Sequence, residues 1–361
     1  MRERPGLLGQ EETDMSKVRL GIVGCGYMGQ RAHLDNYATL PDVELVALAD
    51  LRPQTRQEVA RRYGIPEVYG SHAELLEKAD VEAVVAIMGY GLHHAVVPDI
   101  LRAGKHCLTE KPICLKASTA RPLDELARQA GVVYQIGYMK RCDLASRHAK
   151  QMIVDWRASG AFGALKLLRV SMPPGDWIFR MDNPLNLGDA PESPVPAGES
   201  LPEGMSADEQ SRYNAFVNYY IHQVNLIRYL LGEDYTVEYV DPTSVLLIGR
   251  GESGVAISLE MAAYTLRDEW HEFYAACFDR GKLSLSLCAP IARQHVGSLQ
   301  VYRNTEAGGC YESPIFPPSW CMLEQARLFI QAVHGEIPCI STAADAVKDL
   351  EVAEAFIERL R

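Results

Sequence analysis

The segment Gly24-Cys25-Gly26-Tyr27-Met28-Gly29 spaces its glycines so that each can do a different job. Gly24 permits a tight turn, Gly26 lets a backbone come close to a pyrophosphate, and Gly29 lets a following helix pack closely on the preceding strand. Glycine-rich turns are common, so the surroundings decide. An apolar run, Val18 to Val23, fits a buried strand before the turn, and Gln30 to Thr39 fits a helix after it. The start of that helix would offer free N–H groups and a partial positive charge to phosphates. A second apolar run, Val43 to Ala49, ends in Asp50, where a carboxylate can bond ribose hydroxyls. A plainer role for Asp50 is to cap the helix that follows Pro53. Strand, glycine turn, helix and acid in this order point to a dinucleotide site that uses Gly24, Gly26, Tyr27, Met28, Gly29, Asp50 and Arg52. A carboxylate there repels a 2′-phosphate and Arg52 offsets part of the repulsion. NAD is therefore favoured and NADP left open.

Hydride exchange with a nicotinamide needs a group to take a hydroxyl proton and a donor to stabilise the oxygen. Lys111 is the first candidate, because it follows a strand-like run, His106 to Thr109, at the edge where such sheets bind ligands. Its plainer reading is a surface lysine paired with Glu110. His222 is the second, on a helix-like stretch closed by Gly232. Asn218 and Asn225 fall at i−4 and i+3, on the same helical face as His222. An amide can orient an imidazole but cannot stabilise an imidazolium as a carboxylate does. The alternative for His222 is a core histidine satisfied by its neighbours. Lys140 and Arg141 lie past the strand-like run Val132 to Ile136 and could bind substrate oxygens. Met88, Gly89 and His93 follow another strand at the same edge and are placed to wall the cofactor pocket. The histidines and cysteines lack metal-ligand spacing, so no metal is expected.

The elements that must position these groups alternate. Strand-like and helix-like stretches follow in order to about residue 138, which predicts a doubly wound parallel sheet. Beyond it come an amphipathic helix, about Ala145 to Ala158, and strand-like runs at Leu165–Ser171, Ser244–Arg250, Gly254–Ala263, Trp270–Cys277 and Gly281–Leu287. A last helix runs from about Asp345 to Leu360, with apolar positions at steps of four and three. The expected division is a flexible tail over 1–16, a Rossmann domain over 17–138 and a second domain over 139–361. Within the latter, the Pro- and Gly-rich insertion 172–212 reads as a lid or subunit contact, or as disorder.

At 361 residues and a net charge of −11, the chain is long enough for two cores and poorly suited to nucleic acid or anionic membrane. No stretch is apolar enough for a membrane span. Nine scattered cysteines without a Cys-x-x-Cys pair fit reduced thiols in the cytoplasm.

The stretch Ala103-Gly104-Lys105-His106-Cys107-Leu108-Thr109-Glu110-Lys111-Pro112, with the glycine turn and His93, resembles the glucose–fructose oxidoreductase / inositol dehydrogenase / rhizopine-catabolism (Gfo/Idh/MocA) family. The resemblance is close over 17–140 and looser to the C-terminus. It implies an α/β fold, a Rossmann sheet followed by an α+β domain on an open mixed sheet whose free face is covered by another subunit. A homodimer or homotetramer is the expected assembly. It also implies that Lys111 contacts substrate hydroxyl and cofactor, that Glu110 lies in the cofactor site, and that Arg141 can meet the substrate. Relatives carry acids where Asn218 and Asn225 stand, and Thr-Pro-Asn where Met88-Gly89-Tyr90 stands. In this setting Asp176 and Trp177 could lie over a sugar ring, with Trp177 anchoring its loop as the plainer account.

The expected function is an NAD-linked dehydrogenase of a ring secondary alcohol of a sugar, glycoside or cyclitol. A glycosidase that oxidises, eliminates and re-reduces with NAD is the alternative. So is a dinucleotide-sensing regulator without turnover.

Overall fold

The protein is described by a computed structural model covering residues 16–173, 175, 177, 184–262, 266 and 269–361. Asp176 and the tail over 1–15 lie outside the described residues.

Six strands form the first sheet: β1 (Val18–Val23), β2 (Val43–Ala49), β3 (Glu67–Tyr69), β4 (Ala83–Ala86), β5 (His106–Glu110) and β6 (Tyr134–Gly137). They pair in parallel in the order β3-β2-β1-β4-β5-β6. The central strands are apolar on both faces because helices cover both, and every residue of β4 is buried. The strand order reverses between β1 and β4, and a crevice opens at their carboxyl ends. The connecting helices are α1 (Asp35–Tyr37), α2 (Pro53–Tyr63), α3 (His72–Lys78), α4 (His93–Arg102) and α5 (Ala117–Ala130). Where a regular helix from Gln30 was expected, Gly29–Leu34 winds as a π-turn before α1.

The second half runs α6 (Leu144–Ser159), β7 (Leu165–Ser171), α7 (Ala207–Ala215) and α8 (Ile221–Leu231). Then come β8 (Tyr235–Val240), β9 (Leu246–Gly251), β10 (Ala256–Glu260), β11 (Phe273–Phe278), β12 (Gly281–Ser286), β13 (Ser298–Thr305) and β14 (Gly308–Glu312). These eight strands form a mixed sheet, with β7 and β10 parallel and the other pairs antiparallel. Two helices lie against it, α6 on β12 and β13 and the C-terminal α10 (Ala343–Leu360) on β8. Leu246, Ile248, Phe273 and Cys277 alternate with buried neighbours on β9 and β11, and remain only half-buried on the other face.

The two sheets share one apolar core. The last helices return to the first sheet. In α9 (Cys321–Val333), Ala326, Phe329 and Ile330 pack with Leu20, Ile22, Leu34 and Tyr37. The Ile136 amide donates to the Ser341 carbonyl (2.9 Å), and Gln135 bridges Thr342, so the edge of β6 is covered.

The insertion expected as loop over 172–212 turns helical at its end. Ser206 and Glu209 form a reciprocal capping box that starts α7. No described helix is long and apolar enough to cross a membrane.

Candidate active site

The glycine turn is shaped by contact on two sides and left open on the third. Gly24 has φ of 89°, and a Cβ there would lie 2.0 Å from the Ile87 carbonyl oxygen. A Cβ on Gly29 would lie 2.5 Å from the Gly24 carbonyl oxygen. A Cβ on Gly26 would meet nothing within 4 Å, so this is the face of the turn left free for a ligand's close approach. These residues fit a dinucleotide.

Asp50 does not cap α2. Its Oδ2 accepts from the Cys25 amide (2.9 Å) and its two oxygens take the Arg52 guanidinium in a fork (2.9 and 2.9 Å). Burial alone would raise this carboxyl; Arg52 and the amides of Cys25 and Arg52 override it and hold it down to about 2. Asp50 therefore ties the glycine turn to the end of β2, and Arg52 is neutralised where it stands.

Past the turn lies a cavity of about 270 Å³ whose wall includes Met28, Met88, Tyr90, Trp177 and Trp270, with Glu110, Lys111, Lys140, Asn218 and His222 as its polar groups. Tyr27 meets Trp177 edge-on, the ring centres 6.3 Å apart. Gly89 leads into a single 3-10 turn, Tyr90–Leu92.

Lys111 projects into the cavity from the end of β5, beside a cis peptide to Pro112, and its Nζ donates to the Asn218 carbonyl. Burial pulls its ammonium down to about 8; Glu110 opposes that and Lys140 adds to it. Glu110 is bonded from beneath by His33 (Oε1 to Nε2, 2.9 Å), which sequence reasoning missed. His93 is fully buried behind this loop and off the cavity wall, its Nδ1 on the Ile113 carbonyl at 3.1 Å. Burial takes His93 down to about 4, so it is neutral and supports the lysine-bearing turn from behind.

His222 and Asn218 both line the cavity, but the expected common face with Asn225 is not formed. Phe216–Tyr220 winds as a π-turn before α8, which takes Asn218 out of regular phase with Asn225, and within α8 Asn225 lies about 60° round the helix from His222. Asn225 is buried elsewhere, accepting from Arg141 Nε (2.6 Å) and donating to Asp349 (2.6 Å). His222 Nδ1 is buried without a hydrogen-bond partner, and the ring stands edge-on to Tyr138 at 6.1 Å. Burial, then the charges of Lys111 and Lys140, hold His222 well below its usual value, so it is a neutral imidazole.

Arg141 does not face the cavity. It is buried on Asn225, Asp345 and the Ile340 carbonyl. Its neighbour Lys140 faces the cavity instead, paired with the buried Glu272 and 5.1 Å from the Trp270 ring centre. Glu272 also accepts from Gln223 (2.7 Å) and Tyr274 (2.7 Å). Glu272 immediately precedes β11, and no periodicity in the sequence marks it. Among the described residues, no group of His, Cys, Asp and Glu is gathered as a metal site.

Residues 184–200 run across the carboxyl edge of the first sheet. Leu185 exchanges two hydrogen bonds with the Gln30 side chain (both 2.9 Å). The Glu192 amide donates to the Leu51 carbonyl (2.9 Å), and the Glu199 amide to the Gly91 carbonyl (2.8 Å). Glu199 also accepts from the Leu115 amide (2.7 Å).

The fold and this site define a nicotinamide-dinucleotide oxidoreductase. Residues 18–138 match the Gfo/Idh/MocA family model, described as oxidoreductase family, NAD-binding Rossmann fold. It is 29% identical over 260 residues to inositol 2-dehydrogenase of Burkholderia cenocepacia, covering 68% of this chain and 67% of the relative. It is 33% identical over 179 residues to dTDP-3,4-didehydro-2,6-dideoxy-alpha-D-glucose 3-reductase of Streptomyces violaceoruber, covering 48% and 51%. A solved structure of scyllo-inositol dehydrogenase from Lactobacillus casei, with NAD(H) and scyllo-inositol bound, superposes with a TM-score of 0.67 over 95% of this chain and 97% of that one, at 20% identity.

Proposed function

We propose that this enzyme exchanges hydride between NAD and a secondary ring alcohol, or the matching ketone, of a sugar or cyclitol. The observation that carries the reading is the meeting of Lys111 and His222 in one cavity beside the glycine turn. The dinucleotide, when bound, supplies the hydride acceptor. Neutral His222 takes the hydroxyl proton, and the Lys111 ammonium holds the oxygen as charge grows on it. Lys140, fixed by Glu272, offers a second cation to a neighbouring substrate oxygen. The relatives' names, inositol 2-dehydrogenase and a sugar 3-reductase, support this substrate class.

The test is reduced-nicotinamide absorbance with a panel of polyols, pyranosides and ketosugars. Turnover with at least one ring alcohol is expected, lost by about 100-fold or more in Lys111→Ala while coenzyme binding remains. No signal across the panel overturns the reading. The segment over the coenzyme edge favours one second reading, a retained NAD used to oxidise, eliminate and re-reduce a glycoside. Aglycone release without net reduced nicotinamide would mark it. The half-buried face of the mixed sheet is assigned to a second copy of the chain, as a homodimer or homotetramer working in the cytoplasm. Light scattering reads the assembly.

A further inference from the structure

We infer that residues 184–200 set the coenzyme preference of this enzyme, and that Asp189 does so by filling the place a 2′-phosphate would need.

A Rossmann site that accepts a 2′-phosphate does so just past β2, where an arginine and the open start of the next helix can serve the added charge. Here that place is Arg52 and the N-terminus of α2. Arg52 is the N-cap of α2 and contributes no side-chain cap, so the first amides of the helix need an acceptor from outside. Asp189 is that acceptor. Its Oδ2 takes the Gln54 amide (2.7 Å) and the Thr55 amide (3.2 Å), and its Oδ1 takes the Thr55 hydroxyl (2.5 Å). A carboxylate thus sits on the donors that a phosphate would use, and its charge is felt by Arg52.

The other cations at this corner are matched as well. Arg52 is forked onto Asp50, and Arg56 pairs with Glu192 at 2.6 Å. Glu192 is seated closely, because a Cβ on Gly70 would lie 2.6 Å from its Oε1. Three carboxylates therefore face two guanidinium groups before any ligand arrives. Two of the three, Asp189 and Glu192, are carried by the crossing segment and not by the Rossmann sheet. A ribose with free hydroxyls adds no charge to this corner. A 2′-phosphate brings nearly two negative charges and finds its donors taken.

The inference rests on the dinucleotide site alone and not on the choice of substrate. Its test is direct: equilibrium binding of NAD and of NADP, by calorimetry and without substrate, to the full chain and to Asp189→Asn and Glu192→Gln. The amide of Asp189→Asn can still accept from α2, so the helix start keeps a cap while the charge is lost. Wild type is expected to bind NAD at least 10-fold more tightly than NADP. Asp189→Asn should narrow that ratio 5-fold or more by tightening NADP, with NAD affinity within about 2-fold, and Glu192→Gln should narrow it less. Circular dichroism confirms that the variants are folded. If folded Asp189→Asn leaves the ratio within 2-fold of wild type, or if wild type binds NADP as tightly as NAD, the inference fails. The substrate reading of Lys111 and His222 is untouched in either case.

Discussion

Lys111 and His222 differ in charge near neutral pH, and burial lowers the proton affinity of both. Burial pulls the half-buried Lys111 down to about 8, so its ammonium is present below that pH and is lost above it. His222 stays unprotonated down to well below 6.5. Oxidation needs the cation and the neutral imidazole together, so kcat/KM should fall on the alkaline side near pH 8 and hold far into the acid side. In Lys111→Arg the alkaline limb should vanish, even if the rate is lower, since a guanidinium keeps its proton. An alkaline limb that persists in that variant assigns it to another group. Asn225 belongs to a different set of contacts. Asn225→Ala should cost about 1–3 kcal/mol in denaturant unfolding, because Arg141 and Asp349 lose buried partners, and it should leave the pH profile unmoved. The glycine turn, Lys111 and His222 were legible from type and spacing. Lys140 against Arg141 was not, because Met139–Arg141 forms a single 3-10 turn, and its phase decides which neighbour faces the cavity.

At the scale of elements, the glycine turn separates shape from binding. Gly24→Ala forces a side chain into φ of 89° and against the Ile87 carbonyl. It should cost at least about 1–3 kcal/mol from backbone strain alone, read as a lowered melting temperature. Gly26→Ala meets no protein atom within 4 Å. It should keep the melting temperature of the free protein and weaken NAD binding 10-fold or more in a titration. Equal losses of stability in the two would sink the distinction. The π-turn at Gly29–Leu34 directly follows Met28, which lines the cavity, and the π-turn at Phe216–Tyr220 carries Asn218 and Tyr219 into it. A 3.6-residue period cannot reveal them; Asn225 is a separate case, about 60° round the regular α8 from His222, where Arg141 and Asp349 hold it off the cavity. β3 is too short to show alternation and β14, Gly308–Glu312, is exposed throughout, so neither carried a hydrophobic signal.

For the whole molecule, the first sheet is not finished by its own segment of chain. α9 buries Phe329 and Ile330 beside β1, and Ser341 and Thr342 close the edge of β6. A fragment of residues 16–138 should therefore lack a cooperative thermal transition, whereas residues 16–361 should unfold as one unit. A sharp transition in the fragment would show that the return of α9 is dispensable. The parallel order of the sheet was legible from alternating apolar runs, but this long-range closure leaves no local mark.

The bond from Asp189 to Thr55 spans 134 residues of chain. During synthesis the glycine turn, β2 and Arg52 emerge long before the acid that completes the start of α2. Asp50 is already beside Arg52 by then, so what is missing is the acceptor for the first amides of α2. If Asp189 sets the coenzyme preference, full discrimination between the two coenzymes is gained only once residue 189 has been made and has crossed back. The same late step in synthesis that lets the first sheet be closed then also completes its choice of dinucleotide.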